Sequence, residues 1–548
     1  MSQPSKAASA KTTPLAASVD MVVVGAGLAG LYALHRFRGM GLCVQVFEAG
    51  DGIGGTWFWN RYPGARCDIE SLEYSYSFSE DLQQEWVWPD RYSKQADILR
   101  YIDHVADRFD LRRDIRLETR VTAAVYDAAA NRWTVETDRG DRVTAQFVIM
   151  ASGNLSTPRV PAFKGLESFR GDWYHSGLWP KEGADFAGKR VGIVGTGSTA
   201  IQIIPLVAQQ AKHLHVFQRT ANYSLPARNG PLSETEARAH KAEYAARRKA
   251  AYATPFGISG YPPPKKAAVE AAPDERERHY AARWAKGGTI SFLFAYKDLL
   301  VNPESNDTAS EFVRQRIRET VKDPAVAELL APKDHPIGTK RICLDTGYYE
   351  TFNRDNVTLV DVRSAPIEAI TPDGLRTAKA DYALDAIIFA TGFDAMTGAI
   401  LEIDVRTTAG LSMREKWQGG PKTYLGLTVA GFPNMFIITG PGSPSVKSQM
   451  ILSIEQHTDW IAGCIATLRR RGLARVEATA EAEDAWTEHV RAVADSTLYP
   501  RANSWYTGST NIPGKPRVFM PYVGGVDRYK AKCDEIAAQG YPGFAMTP

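Results

Sequence analysis

Cysteine is scarce in this chain of 548 residues, and its five cysteines are scattered at positions 43, 67, 343, 464 and 533. An odd number at such wide spacing forms neither a disulfide framework nor a metal-binding cluster. No close cysteine pair follows the glycine-rich residues 25–30, which argues against a disulfide reductase. The cytoplasm, a reducing compartment, is therefore the expected location.

Long apolar runs and a charge imbalance are also missing. No run approaches the roughly 20 apolar residues that a membrane helix needs, and residues 1–20 lack the apolar core of a signal peptide. The formal net charge is only +3, so no broad positive field would attract nucleic acid. We expect neither a membrane nor a nucleic acid as a partner, nothing requires an oligomer, and residues 1–20 are predicted to be a disordered tail.

Two copies of a phosphate-binding motif are present, each at a predicted strand-to-helix junction. They read Gly25-Ala26-Gly27-Leu28-Ala29-Gly30, after the apolar run 21–24, and Gly195-Thr196-Gly197-Ser198-Thr199-Ala200, after the run 191–194. The first glycine permits a tight turn, the second lets the backbone approach a pyrophosphate, and the third small residue lets the helix pack on the strand. The pyrophosphate then binds amides at the positive helix N-terminus. Two copies predict two dinucleotides on one chain, between which electrons pass.

The residue that ends the second strand after each motif distinguishes the two sites. Glu48 follows the first motif at about 20 residues, the spacing at which an acid binds a ribose hydroxyl. At the corresponding place after the second motif stand Arg219 and Thr220, and no acid. A carboxylate would repel a 2′-phosphate, whereas a guanidinium binds one through paired hydrogen bonds. The first site is therefore predicted to bind FAD and the second NADPH. The alternatives are a solvated Glu48 and an ordinary surface Arg219.

These patterns predict an α/β protein with two Rossmann-like dinucleotide-binding domains. Ala/Glu/Lys/Arg-rich stretches such as 234–251 indicate a helical insertion in the NADP domain. Strand-and-turn patterns at 147–153 and 385–392 each return the chain to the FAD-binding half. The predicted division is 21–155 and 391–548 for FAD, 156–226 and 339–390 for NADP, and 227–338 for the insertion.

Two further stretches narrow the chemistry. Residues 169–180 match the pattern F-x-G-x-x-x-H-x-x-x-W-P through Phe169, Gly171, His175, Trp179 and Pro180. Residues 54–68 read GGTWFWNRYPGARCD. Both resemble the signatures of the type I Baeyer–Villiger monooxygenases, and the likeness extends over essentially the whole chain after the tail. It is strongest toward the branch that includes the phenylacetone and steroid monooxygenases.

The resemblance implies an enzyme that uses NADPH and O2 to convert ketones to esters or lactones, and sulfides to sulfoxides, through a C4a-peroxyflavin. The ketones would be aryl-alkyl, cyclic or steroid-like. Such a peroxide anion needs a fixed cation beside it. The resemblance assigns that role to Arg341, and Asp68 matches the acid that orients the guanidinium. Arginine suits the role because it stays charged at any working pH.

The resemblance also implies a wider set of cofactor contacts. His175 has a structural or domain-motion role in this interpretation, because its motif joins the two nucleotide-binding halves. The implied FAD contacts, beyond the first glycine motif and Glu48, are Gly55, Thr56, Trp57, Asp68, Tyr74, Val121 and Met450. The implied NADP contacts, beyond the second glycine motif, are Arg66, Cys67, Ile201, Arg219, Thr220, Lys340, Arg341 and Trp505.

The loop at 440–450 is predicted to line the ketone pocket through Ser445, Val446 and Met450. It carries one departure, because Lys447 stands where the resemblance leads us to expect an apolar residue. We expect the Lys447 side chain to turn outward to solvent, its apolar stem lying along the surface. An inward lysine would instead favour a substrate with a polar acceptor.

Two other functions fit parts of the pattern. A flavin-containing N- or S-monooxygenase has the same two nucleotide folds, but the Trp179-Pro180 ending and Arg341 argue against it. A non-catalytic flavin-binding redox sensor would have no need of Asp68 and Arg341. Product analysis with a ketone and an amine separates the first two functions, and coupled NADPH consumption excludes the third.

Overall fold

Two sheets with parallel centres organise the chain, and each contains a strand that leads into one of the glycine motifs. The computed structural model describes residues 15–508, 512 and 514–548. No helix among those residues is long and apolar enough to cross a membrane.

The first sheet gathers strands from distant parts of the sequence. Its centre is parallel, with Val24 in register with both Phe47 and Met150, so the carboxyl ends of three strands meet at one edge. An antiparallel meander extends the sheet on one side. The spatial order is Asp404–Thr407, Val121–Asp127, Arg132–Thr137, Arg142–Met150, Ser18–Val24, Val44–Phe47 and Ile115–Arg116, and Met435–Ile437 also pairs with Arg142–Met150.

The central strand of this sheet is apolar throughout because both of its faces are buried. Met21 and Val23 belong to a core shared with the helices Leu28–Arg38 and Met450–Arg470. Val22 and Val24 belong to a second core on the opposite face. The alternation of side chains along a strand thus divides one apolar run between two cores.

The predicted tail extends too far at its C-terminal end. Residues 1–14 lie outside the described residues, but the first strand already begins at Ser18. Asp20 takes part in it, because its carboxylate accepts a hydrogen bond from the Cys43 amide at 2.7 Å. The prediction of a disordered tail is therefore wrong for Ser18–Asp20.

The second sheet is parallel throughout. Its centre is Arg190–Val194, which pairs with His213–Gln218 on one side and Ala386–Phe389 on the other. The fingerprint segment, residues 169–180 with the pattern F-x-G-x-x-x-H-x-x-x-W-P, supplies an edge strand, Asp172–His175. The order is Val357–Asp361, His213–Gln218, Arg190–Val194, Ala386–Phe389 and Asp172–His175. Helix Ser198–Gln210 follows the central strand, and a small antiparallel sheet comprises Ile367–Thr371, Gly374–Thr377 and Asp381–Ala383.

Residues 227–338 are helical, and a short parallel pair closes the segment at its base. Ser224–Pro226 precedes it, Cys343–Asp345 follows it, and the two strands are hydrogen-bonded. This pairing brings Arg341, just before the second strand, back beside the nucleotide-binding sheets. The α-helices of the segment are Glu234–Ala242, Tyr244–Ala251, Pro273–Lys286, Thr289–Leu293, Pro303–Thr320 and Pro324–Leu330.

The C-terminal part packs back onto the first sheet through its long helix. Buried Glu455 of that helix accepts hydrogen bonds from the Ser77 and Phe78 amides at 2.7 and 3.1 Å, and from the Ser77 hydroxyl at 2.6 Å. Strands Arg475–Ala478 and Phe544–Thr547 pair with each other. The remaining α-helices are Thr56–Trp59, Glu80–Glu85, Gln95–Arg108, Tyr348–Thr351, Gly398–Leu401, Met413–Lys416, Ala480–Asp495 and Val526–Ala538.

Candidate active site

The first glycine turn lies at the carboxyl edge of the first sheet. Gly25 has φ of +103°, and a Cβ there would meet the Ala151 carbonyl oxygen at 2.7 Å, so only glycine fits. Glu48 ends the neighbouring strand and accepts hydrogen bonds from the Ala26 and Gly50 amides, each at 2.8 Å. The acid is buried and shapes the turn, in the position where a ribose hydroxyl would approach it.

A second glycine-rich turn faces the first. A Cβ on Gly55 would lie 2.9 Å from the Gly27 Cα, so the two backbones pack directly against each other. Thr56 and Trp57 follow in a short helix, and the Trp57 indole N–H donates to the Tyr74 hydroxyl at 3.1 Å. Val121 and Met450 begin, respectively, a meander strand and the long C-terminal helix. These are the segments on which the implied FAD contacts lie.

The second glycine turn is open on the side where a pyrophosphate would rest. A Cβ on Gly197 would meet nothing within 4 Å, whereas a Cβ on Gly195 would meet the Ala390 carbonyl oxygen at 2.6 Å. The Thr196 hydroxyl donates to the Thr220 carbonyl at 2.8 Å, which ties the turn to the end of the next strand. Ala200 and Ile201 are buried in the helix that follows. An open backbone at a helix N-terminus fits a dinucleotide phosphate.

Two cations stand near this turn without an ion-pair partner in the part of the chain that the structure describes. Arg219 is exposed at the end of its strand, and Lys340 is partly buried. Burial lowers the pKa of Lys340, and Asp334 opposes that effect while Arg219 and Arg363 add to it. An anion placed here would relieve the repulsion between Arg219 and Lys340, which is the property that a 2′-phosphate site requires.

The Arg341 guanidinium is held by two segments that are distant in sequence. Its Nε and Nη2 donate to the two Asp68 carboxylate oxygens at 2.7 and 2.5 Å, and its Nη1 donates to the Val446 carbonyl at 2.9 Å. Burial alone would lower the pKa of Arg341, but the Asp68 carboxylate outweighs it and the pKa is raised. The arginine is therefore a permanent cation in a fixed orientation, with further N–H donors left for a ligand.

The segment between the glycine-rich turn and Asp68 also contacts the second nucleotide-binding half. The Tyr62 hydroxyl donates to the Gln202 side chain at 2.9 Å, and the Gln202 amide donates to the Arg66 carbonyl at 3.1 Å. Cys67 is buried beside this junction, and burial raises the pKa of its thiol. Ser198 accepts a hydrogen bond from the Cys343 thiol at 3.1 Å. Both predicted nucleotide-binding halves thus meet at the Asp68–Arg341 pair.

The loop after Pro444 behaves differently from our expectation. Lys447 does not turn outward: its Nζ lies 3.9 Å from the ring centroid of Tyr499 and 4.1 Å from that of Tyr506. Burial, with a smaller contribution from Arg341, lowers the pKa of Lys447 well below its usual value. The expectation that Lys447 turns outward to solvent is therefore wrong. Contact between an ammonium and the two aromatic faces favours the inward position.

Two adjoining cavities lie beside this loop. One of about 40 Å³ is bordered by Arg341, Lys340, Val446 and Lys447. The other, of about 260 Å³, is bordered mainly by apolar and aromatic side chains, several of them from the helical segment. Four residues border both cavities: Phe256, Leu293, Lys447 and Tyr499. Lys447 therefore stands where the apolar cavity approaches the arginine.

Ser445 and Met450, the other two residues predicted to line the pocket, are placed differently from Val446. Ser445 is fully buried with φ of +47°, and its hydroxyl accepts a hydrogen bond from the Asn154 side chain at 2.8 Å. Met450 is partly buried and packs with the tyrosines at 499 and 506. Trp505 joins the same cluster, with its ring centroid 4.4 Å from that of Tyr506.

The fingerprint segment forms the edge of the second sheet. His175 is buried, its Nδ1 accepts a hydrogen bond from the Gly177 amide at 3.1 Å, and burial lowers the pKa of the ring. A Cβ on Gly177 would meet the Phe393 ring at 2.7 Å. Trp179 is buried in the core of the second sheet. Phe393 lies where the chain leaves that sheet, so this placement supports a structural role at the junction.

Sequence reasoning missed the aromatic partners of the loop. Tyr499 and Tyr506 follow Lys447 by 52 and 59 residues. Phe256, which borders both cavities, comes from the helical segment. A single charged residue in the loop 440–450 was the available signal, because a lysine that turns inward needs aromatic faces or an acid around it.

Comparison with known proteins places the chain among flavin enzymes. Residues 18–228 match the flavin-binding monooxygenase-like family. A Baeyer–Villiger monooxygenase of Pseudooceanicola batsensis is 43% identical, over 97% of this chain and 96% of that protein. A steroid monooxygenase structure bound to NADP is 54% identical with a TM-score of 0.92, over 97% of this chain and 99% of that one. The structure of OTEMO in complex with FAD and NADP is 41% identical with a TM-score of 0.93, over 96% and 99% of the two chains.

Proposed function

This chain belongs to the type I Baeyer–Villiger monooxygenase family, flavoproteins that use FAD and NADPH to convert ketones to esters or lactones, and from that premise we propose how its residues divide the work. We propose that 21–155 and 391–548 hold FAD, and that 156–226 and 339–390 hold NADP. The strands of each sheet support this division, because each sheet contains the strand that leads into one of the two glycine turns. Residues 227–338 then form an insertion that closes over the ketone cavity.

The proposed nucleotide contacts follow from the geometry of the turns. Gly25, Gly27 and Glu48 border the place where the FAD pyrophosphate and ribose would lie. Gly197 offers an open backbone to the NADP pyrophosphate. Arg219 and Lys340 form the positive pair for the 2′-phosphate. When bound, NADPH supplies the hydride and FAD the site at which O2 is activated.

Arg341 carries the proposed chemistry. Three of its five N–H donors are used by Asp68 and Val446, and it borders the smaller cavity. A guanidinium held in advance stabilises negative charge without reorganising during the reaction, which is a large contribution to catalysis in many enzymes. Asp68 is a positioning residue in this proposal, because it acts through the guanidinium. The ion pair at the wall of the cavity is the observation on which the proposal depends.

We propose that the larger cavity holds the carbon skeleton of the ketone. Its volume of about 260 Å³ and its lining of phenylalanine, leucine, valine and proline suit an apolar body larger than acetone. Similarity to the solved steroid monooxygenase supports a bulky, steroid-like or aryl-alkyl ketone as the substrate. We further propose a cytoplasmic location, because all five cysteines are free thiols.

Product analysis tests the function directly. Purified protein with FAD, NADPH and O2 would be given cyclic, aryl-alkyl, long-chain and steroid ketones, an amine and a sulfide. We expect esters or lactones in amounts that match NADPH consumed, with sulfoxide as a secondary product. An N-oxide without any ester would instead support the N-monooxygenase alternative. NADPH consumption that yields only hydrogen peroxide, across the whole panel, would contradict the proposal.

A further inference from the structure

Lys447 is a partly buried lysine whose amine the ketone reaction does not require. Its Nζ lies between the rings of Tyr499 and Tyr506, at the boundary between the apolar cavity and the cavity of Arg341. Burying an ammonium is unfavourable unless the charge is compensated, and contact with two aromatic faces compensates it only in part. A leucine or methionine would fill the same space without that cost.

The charges around Lys447 are not balanced. No acid forms an ion pair with it anywhere in the described part of the chain, and the acid of this region, Asp68, is already engaged by Arg341. The Tyr506 hydroxyl is buried and likewise has no hydrogen-bond partner among residues 15–508, 512 and 514–548. An amine without an ion-pair partner, at the wall of both cavities, needs an acceptor that the described residues do not supply.

We propose that Lys447 is a specificity-determining residue that selects ketones carrying a carboxylate. The carbonyl of such a keto acid lies at Arg341, its carbon chain folds within the apolar cavity, and its carboxylate returns to the boundary of the two cavities, where it accepts a hydrogen bond from the Lys447 amine. This inference rests on the ketone activity and adds the chemical class of the substrate.

Electrostatics supports an anionic partner over a neutral one. The depressed pKa of Lys447 comes first from burial and then from Arg341. A carboxylate beside the amine would reverse that shift, because an opposite charge favours the ammonium. A charge-assisted hydrogen bond is about twice as strong as a neutral one. A neutral acceptor would leave a Lys447 ammonium without a counter-charge, since Asp68 is already paired with Arg341.

The test compares two ketones that differ only at one end of the chain. In 2-heptanone the chain ends in a methyl group, and in 6-oxoheptanoate it ends in a carboxylate. Ester formation coupled to NADPH consumption gives kcat/KM for each, and their ratio is the readout. We expect wild-type protein to prefer the keto acid. Preference for 2-heptanone by tenfold or more in the wild-type protein would overturn the proposal without any variant.

Lys447→Met removes the charge and keeps a side chain of similar length. We expect the ratio to fall by about 10- to 150-fold, the loss of one charged hydrogen bond, mainly through KM for the keto acid. Lys447→Arg should retain most of the preference, because a guanidinium also binds carboxylate. FAD content and thermal unfolding would be measured on both variants.

Lys297 provides a matched control, because it borders the same apolar cavity but is half exposed and pairs with Glu270 at 3.6 Å. Equal falls in the ratio for Lys447→Met and Lys297→Met would indicate a diffuse field and overturn the proposal. Equal losses of kcat/KM for both ketones in Lys447→Met would indicate a structural role and also overturn it. The ketone activity itself is tested separately, since 2-heptanone must yield an ester whether or not the keto acid does.

Discussion

Removing the Arg341 guanidinium should abolish ester formation while the protein still folds and binds FAD. Loss of one preorganised group that stabilises developing negative charge costs on the order of 10²–10³ in rate, about 2.7–4 kcal/mol. Arg341→Lys keeps the charge but lacks the planar fork that contacts both Asp68 oxygens. We therefore expect Arg341→Lys to recover little of the activity of wild-type protein.

The effect of leaving Asp68 unpaired must be distinguished from the effect of losing the Arg341 cation. Arg341→Ala leaves the Asp68 carboxylate, whose side chain is 23% exposed, without its ion pair, and an unpaired carboxylate destabilises the site. The double variant Asp68→Ala/Arg341→Ala removes both charges. We expect it to unfold at a higher temperature than Arg341→Ala and to remain equally inactive.

Gas chromatography of the ester and the flavin absorbance of the purified variants would provide the measurements. Recovery of ester formation in the double variant would show that the stranded carboxylate, and not the missing guanidinium, caused the loss. Ester yield in Arg341→Ala equal to that of wild-type protein would refute the proposed role altogether.

Three further predictions concern other parts of the molecule. Arg219→Ala should raise KM for NADPH by about 10- to 150-fold and leave KM for NADH nearly unchanged; equal increases in steady-state assays would contradict the 2′-phosphate site. Substitutions at Ser445, Val446 and Met450 should reorder the preference among cyclic, aryl-alkyl and steroid ketones, and an unchanged product profile across all three would place the pocket elsewhere. Burial raises the pKa of Glu455 to about 7, so the folded state binds the Glu455 proton more tightly than the unfolded state does. The free energy of unfolding should therefore fall as pH rises from about 4.5 to 7, by up to about 3 kcal/mol. Urea unfolding at pH 5 and pH 8 should show that loss in wild-type protein and a smaller one in Glu455→Gln; identical pH dependence would disprove the assignment.

Local sequence predicted much of the fold because its determinants are local. A glycine turn after an apolar strand, as at Gly25 and Gly195, is dictated by backbone sterics within a few residues. The helical character of 227–338 follows from composition and period. The tail boundary was wrong because the pairing of Asp20 with Cys43 is a contact that no local pattern encodes.

The site was predicted less completely, for a related reason. Resemblance supplied Asp68 and Arg341, and the structure joins them although they are 273 residues apart. The orientation of Lys447 depends on Tyr499 and Tyr506, whose rings reach it only in the folded chain. Lysine side chains are mostly exposed to solvent, so the general preference of lysine led to the wrong prediction that Lys447 faces outward.

The late strand Met435–Ile437 has a consequence for how this protein is made. It pairs with residues 148–150 of the first sheet, which leave the ribosome roughly 15–60 s earlier at ordinary rates of synthesis. During that interval the carboxyl end of Arg142–Met150 offers unpaired amides and carbonyls to any other extended chain. Nascent protein should therefore depend on chaperones, and slow-translating hosts should accumulate more aggregate than fast ones.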